Sequence, residues 1–378
     1  MKSHGKIGIA AVIVLGLLGA ILSSCGGAGG GTTPAPSAHI HKYAYVTNSN
    51  DNNISIFTID ASTGALIGAG TAPAGGDPRS IAVDPTGRFA YVANRGTDNV
   101  SAYRITKATG LLTMITPAVT QLGGPTSIAV DPTGKYAYVA SSTTYEVFAY
   151  KIDNTTGALT PTLDNNIVVA GVSTGIGFGP VSVAVDPTGS FVYVAINNND
   201  NVYSYKIGTT GGLSLLTTTP IVAAGVNPIS IDPTGQFAYV ANNSDNTISA
   251  YSIAAGTGAL SPLSPPTVPT GHRPSSIAVD PTGTLAYVAN FDDDSVSGYK
   301  ISLLGALTPV AGGAVLTAGV GPVSVAIDPT SNFVFVANEI AGGISAFKIT
   351  AGTGVLTGRT TAAAGVGPSS VTTVDIVQ

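Results

Sequence analysis

From residue 43 onward the apolar positions fall in short runs with strand spacing. Ser80-Ile81-Ala82-Val83 alternates small with large side chains, Phe89 to Ala93 is aromatic and β-branched, and Val100 to Ile105 alternates again. A fourth run, Leu111 to Ile115, follows the turn pair Thr109-Gly110. Runs of this length, rich in Val, Ile, Tyr and Phe and bounded by Gly, Pro, Asn and Asp, predict strands. Between the first and second runs stands Asp84-Pro85-Thr86-Gly87. Pro at the second position and Gly at the last suit a type I turn.

The same four-run unit recurs along the chain. Asp before Pro stands at Asp84, Asp131, Asp186, Asp232, Asp280 and Asp328, and a further Asp, Asp375, precedes the chain end. The Tyr-Val-Ala-Asn element recurs from Tyr45, Tyr91, Tyr138, Tyr193, Tyr239, Tyr287 and Phe335. Residues 43–378 thus divide into seven units of roughly 48 residues, and four strands per unit is the signature of a propeller blade. The predicted fold is all-β, a seven-bladed β-propeller of four-stranded antiparallel blades. The repeat begins on a second strand, Tyr43 to Asn48, and ends on a first strand, Ser369 to Asp375. Pairing the C-terminal strand with the N-terminal one completes the seventh blade and leaves no open edge.

The repeat also locates candidate chemistry. A Ser stands two residues after the blade-entry Pro in every unit: Ser80, Ser127, Ser182, Ser230, Ser276, Ser324 and Ser370. These hydroxyls either line a wet channel or are simply small enough for a crowded inner strand. Binding residues are expected instead on the face that carries the inter-blade loops and the loops between second and third strands. Ionisable groups are few there. Arg79 follows Pro78, His272 and Arg273 precede Pro274, and Glu339 follows Asn338. Asp292, Asp293 and Asp294 form the densest carboxylate cluster and the best candidate for calcium, although Asp and Asn also serve turns through their own side chains. One unit is about eight residues longer than the rest, and its Gly-rich segment, with Gly171, Gly175, Gly177 and Gly179, is expected to project over the same face as a ligand loop.

Composition narrows the function. Charged residues make 9% of the chain and apolar residues 44%, with 15 Lys and Arg against 20 Asp and Glu. Nucleic-acid binding, which needs clustered cations, is excluded. A single Cys excludes a disulfide scaffold and a cysteine zinc site. No cofactor is expected beyond the weak calcium candidate, and the expected state is a monomer.

The N-terminus reads as an address. Lys2 and Lys6 precede an apolar and Gly run from Ile7 to Leu22, short for a membrane span and suited to a signal peptide. The run ends in Leu22-Ser23-Ser24-Cys25, which resembles the bacterial lipobox, and this is the only Cys in the chain. The expected organisation is a lipoprotein signal peptide over 1–24, a Gly/Pro/Thr-rich tether over 25–42 and the propeller over 43–378. Lipid on Cys25 would anchor the protein to a membrane of the bacterial cell envelope.

The Tyr45-Val46-Thr47-Asn48 element and the repeated Asp-Pro-Thr-Gly turns resemble the YVTN/lactonase family of seven-bladed propellers, which includes 6-phosphogluconolactonases. The resemblance spans residues 43–378. It implies a site in which a carboxylate base acts beside Arg and His, from a Gly-x-Pro-Arg-His element and an Asn-Glu pair in one blade. Pro78-Arg79 matches, but Ser80 stands in place of the His and Asn94-Arg95 in place of Asn-Glu. Asn338-Glu339 matches in a unit whose entry reads Pro322-Val323-Ser324, so the Arg and the Glu lie two blades apart in ring order. With the set dispersed in this way, the sequence favours a lipid-anchored module that binds a protein or small-molecule ligand on the loop face, and leans away from catalysis. A divergent lactonase using Glu339, Arg79, Arg273 and His272 is the alternative, and a structural cell-surface repeat protein a further one.

Overall fold

The computed structural model describes residues 40–120, 122–168, 179–197, 200–216, 221–222, 225–317 and 319–377. The signal, most of the tether with Cys25, and Gly171, Gly175 and Gly177 lie outside the described residues.

Seven antiparallel sheets form a ring of blades. Blade one holds Ile40–Asn48, Asn53–Ile59, Leu66–Pro73 and the last strand, Pro368–Val377. Blade two runs from Pro78 to Thr120, blade three from Pro125 to Val168 and blade four from Pro180 to Val222. Blades five, six and seven span Val226–Pro269, Pro274–Leu316 and Pro322–Ala363. In each blade the first strand is innermost and contacts the first strands of its neighbours. The ring closes as expected, with Tyr43 opposite Val374 and Tyr45 opposite Thr372. Pairing begins at Ile40 opposite Val377, so the last three tether positions are already strand.

The second strands are buried almost completely, and the core is a series of wedges between neighbouring blades. Tyr45, Ile54 and Ile56 of blade one, for example, pack on Ile81, Val92 and Tyr103 of blade two. Three uncharged joints repeat around the ring. First, the entry Ser accepts the backbone N–H of the next inner strand: Ile128 to Ser80, Val183 to Ser127, Ile229 to Ser182, Val325 to Ser276 and Val371 to Ser324, all at 3.2–3.3 Å. Second, the Tyr that opens each Tyr-Val element donates its hydroxyl to a Gly carbonyl of the next blade, from Tyr45 to Gly110 at 2.8 Å through Tyr287 to Gly354 at 2.8 Å. Third, that Gly lies against the side chain that starts the preceding blade's second strand, an aromatic ring at all of these positions except Gly354, where it is Leu285. Gly305 has φ +79°, and a Cβ there would stand 2.3 Å from Cδ1 of Phe237. The position demands glycine for both reasons.

The first joint decides the role of the seven serines. Beyond being small, most serve as acceptors that fasten one blade to the next. Ser230 departs from the register read from sequence. Pro228 sits two residues later in its strand than the other entry prolines, so Ser230 faces Tyr239 whereas Ser80 faces Ala93. It accepts from Val279 instead, two residues further along the neighbouring strand, at 3.3 Å.

The turn Asp is a second structural device. Asp84 accepts the N–H groups of Arg88 and Phe89 on one oxygen and the backbone N–H and hydroxyl of Thr86 on the other. Asp131, Asp186, Asp232, Asp280 and Asp328 repeat this pattern. Asp375 does not belong to the series: the strand pairing puts Val374 at the equivalent place, because this blade closes by strand pairing instead of a turn. Asp375 instead holds Lys42 at 2.9 Å, and Lys42 also reaches the fully buried Asp328 of blade seven at 3.1 Å.

Candidate functional site

The loop face is assembled from two sets of backbone positions, the blade entries and the hairpins between second and third strands. An Asn or Asp in the left-handed conformation ends several of these hairpins and accepts a backbone N–H from the next blade entry. Asn52 takes Asp77, Asp98 takes Gly124, Asn246 takes Arg273 and Asp294 takes Gly321, at 2.7–2.8 Å. Short Asx side chains tolerate this conformation and mimic a turn. The loop face is thereby a rigid mount for the few side chains that can act chemically.

Those side chains are brought together across blade one. Arg79 projects from the entry of blade two and Glu339 from the hairpin of blade seven, and Nη1 of Arg79 lies 3.4 Å from Oε1 of Glu339. Ring order alone suggested dispersal. Inner strands converge on the axis, however, so a long guanidinium side chain spans the blade between. Arg79 is aimed by Asp77, whose Oδ1 lies 2.7 Å from its Nε. The other oxygen of Asp77 holds Arg95 at 2.7 Å. Arg95 thus occupies the hairpin position where the resemblance leads one to expect Glu, and it joins a chain Glu339–Arg79–Asp77–Arg95. Sequence reading missed Asp77 and Arg95. The signal for Asp77 was its place directly before Pro78, facing the backbone of the Arg95 loop, where the Arg95 N–H donates to its carbonyl at 2.9 Å. Arg79 and Glu339 are each about 30% exposed, open to solvent yet held.

The other candidates are held within blade six. Arg273 places Nη1 3.1 Å from Asp292 and lies over the ring of Phe291, 4.4 Å from its centroid. His272 holds Asp293 twice, by its backbone N–H and by Nδ1, both at 2.7 Å. These bonds, the backbone one first, lower the Asp293 carboxyl below the ordinary carboxylate range. With Asp294 on Gly321, each member of the acidic cluster serves a different protein donor. Among the described residues no three His, Cys, Asp or Glu side chains are grouped as a metal ion would require. Of the ligand-loop glycines, only Gly179 is described. It packs against Ser142, to whose carbonyl its N–H donates at 3.2 Å. Ser80, in the place of the expected His, is occupied by the Ile128 N–H and serves the ring.

The family model for the lactonase seven-bladed β-propeller matches residues 32–128, 81–174, 116–271 and 261–373, nearly the entire chain. The chain belongs to the lactonase family of seven-bladed propellers. Solved structures of similar shape include a provisionally assigned 6-phosphogluconolactonase from Bacteroides fragilis, 22% identical, with a TM-score of 0.76 over 89% of this chain and 98% of that one. The periplasmic gluconolactonase of Pseudomonas aeruginosa is 20% identical, with a TM-score of 0.75 over 89% and 99%. At such identities the likeness carries the fold. None of the curated proteins compared matches the sequence. Within this lactonase-family chain, the Arg79–Glu339 pair is the one place where a carboxylate and a guanidinium from separate blades meet on the loop face among the described residues.

Proposed function

We propose that the protein is a lactone hydrolase with Glu339 as general base and Arg79 as oxyanion stabiliser. The contact between these two side chains carries the reading, and family membership supports it over a non-catalytic binding module. The module reading rested on ionisable groups being scattered, and that ground is removed for this pair. The Glu339 carboxylate accepts a proton from water as the water oxygen attacks the lactone carbonyl carbon. Charge builds on the carbonyl oxygen, and guanidinium N–H groups of Arg79 not spent on Asp77 or Glu339 face it. The ring acyl–oxygen bond then breaks, and the departing alkoxide takes the proton back from Glu339. The product is the open hydroxy acid.

The test is hydrolysis of an unsubstituted δ-lactone by the purified full-length chain, followed by proton release. Glu339→Gln is expected to lower kcat by about 100-fold or more, with an unchanged melting temperature. No turnover in the parent chain, or equal turnover in the variant, overturns the assignment.

We further infer that the enzyme works at the bacterial cell envelope, tethered by a lipid on Cys25. The apolar run from Ile7 to Leu22 and the single Cys at its end support this. Cys25→Ala is expected to abolish labelling by radioactive palmitate; label retained in that variant refutes the anchor.

A further inference from the structure

An apolar shelf begins at the residue after Glu339. Ile340, directly after Glu339, is 64% exposed, and Val320 at the entry of the same blade is 47% exposed. Phe291 of blade six occupies the same hairpin position as Glu339 of blade seven, each donating its backbone N–H to a carbonyl of the blade entry beside it: Phe291 to Arg273 and Glu339 to Gly321. Gly321 brings the two blades' side chains together. A Cβ on it would stand 2.9 Å from Cγ1 of Ile340 and 3.1 Å from Cε2 of Phe291. Phe291 and Ile340 therefore meet over one glycine, with the Arg273 guanidinium over the Phe291 ring.

Charge on the same face points the same way. Among the described residues, the cations carried by blade entries and hairpins are Arg79, Arg95, His272 and Arg273, and each lies on a carboxylate. Carboxylates outnumber them there, with Asp51, Asp98 and Asp294 given to backbone donors as well. A phosphate group is recognised by guanidinium or ammonium donors, and among the described residues each of these four cations is already engaged by a carboxylate with which a phosphate must compete. An apolar substituent, by contrast, gains from covering Ile340 and Phe291.

We propose that the site takes lactones carrying an alkyl or aryl substituent, seated on Phe291 and Ile340, in preference to phosphorylated sugar lactones. The ester part of this proposal rests on the hydrolase reading; the apolar preference rests on the shelf and the paired cations. Each methylene laid on the shelf is expected to raise kcat/KM by up to about fourfold.

The experiment compares δ-valerolactone, δ-octalactone, δ-decalactone and a phosphorylated gluconolactone as substrates of the full-length chain, and titrates the non-hydrolysable δ-decanolactam by calorimetry. The expected result is a kcat/KM that climbs with chain length, a slope that flattens in Ile340→Asn, and little turnover of the phosphorylated compound. The exposure of Ile340 makes that variant safe for folding, which a melting curve checks. Preference for the phosphorylated lactone overturns the proposal while leaving the hydrolase reading intact. If no lactone is turned over, the hydrolase reading fails alone, and the lactam decides: binding weakened at least tenfold in Ile340→Asn upholds the apolar site, and no binding by the parent chain overturns it.

Discussion

The hydroxyl of Tyr287 donates to the carbonyl of Gly354, 2.8 Å away, across the boundary between blades six and seven. Five equivalent tyrosines repeat the bond, and Phe335 of blade seven stands where the series calls for another, in the core wedge shared with blade one. Tyr287→Phe is therefore expected to cost about 1 kcal/mol or somewhat more, because a buried carbonyl loses its donor. Phe335→Tyr is expected to gain about 1 kcal/mol by supplying the missing donor. Urea midpoints at constant m measure both changes.

The same tyrosines govern alkaline stability. Burial raises the phenol pKa of Tyr45, Tyr91, Tyr138, Tyr193, Tyr239 and Tyr287, and pushes Tyr103 up to about 12. A folded-state pKa above the unfolded value of about 10 means that the fold favours the neutral phenol. The stabilisation is complete below about pH 10 and is lost as pH rises from there towards the folded-state values. Phenolate absorbance and loss of strand circular dichroism are expected to rise together above pH 10. Ionisation of these phenols in a still-folded ring would contradict this.

Asp280 holds four donors of its own turn. Asp280→Ala strands at least two backbone N–H groups at the edge of the core and is expected to cost about 3 kcal/mol. Asp375→Ala, at the position that sequence spacing placed in the same series, leaves every turn intact. It is expected to act only through Lys42. Thermal melts of the two variants separate the roles.

Closure is testable by removal. Deleting Pro368 to Gln378 uncovers both the edge of Ile40–Asn48 and the wedge that packs on Val371, and is expected to yield aggregated protein in place of a monomeric ring. Lys42→Met keeps the strands but leaves the buried Asp328 without its cation, at a cost of about 3 kcal/mol. Size-exclusion chromatography and melting curves read the two effects.

Arg79 and Glu339 carry a different expectation. Both are part-exposed, so a double-mutant cycle with Arg79→Met and Glu339→Gln is expected to show a coupling below about 1 kcal/mol in stability. Loss of turnover in either single variant, with so small a coupling in stability, is the outcome the hydrolase proposal requires.

Repetition made the architecture legible. Tyr45 through Phe335 counted the blades, and the half-units at each end implied the closure that Tyr43 and Val374 make. Register was less legible, because Pro228 and Asp375 mimic their series by residue type while the strand pairing shifts them by one or two places. The Arg79–Glu339 contact was hidden for a geometric reason. Position in the sequence gives order around the ring, whereas reach across the axis depends on how tightly the inner strands converge. Ser80 and its counterparts were read by size, although their function is to accept a hydrogen bond from a neighbour that the sequence does not name.

The joints between blades are hydroxyl to amide and phenol to carbonyl, with glycine under an aromatic ring, and the core wedges are apolar. Counter-ions have little to screen in such contacts. Apart from the Lys42 clasp, cohesion of the ring owes almost nothing to ionic attraction. A molecule built this way holds its shape alike in dilute medium and in brine, while the Arg79–Glu339 pair stays open to the surroundings.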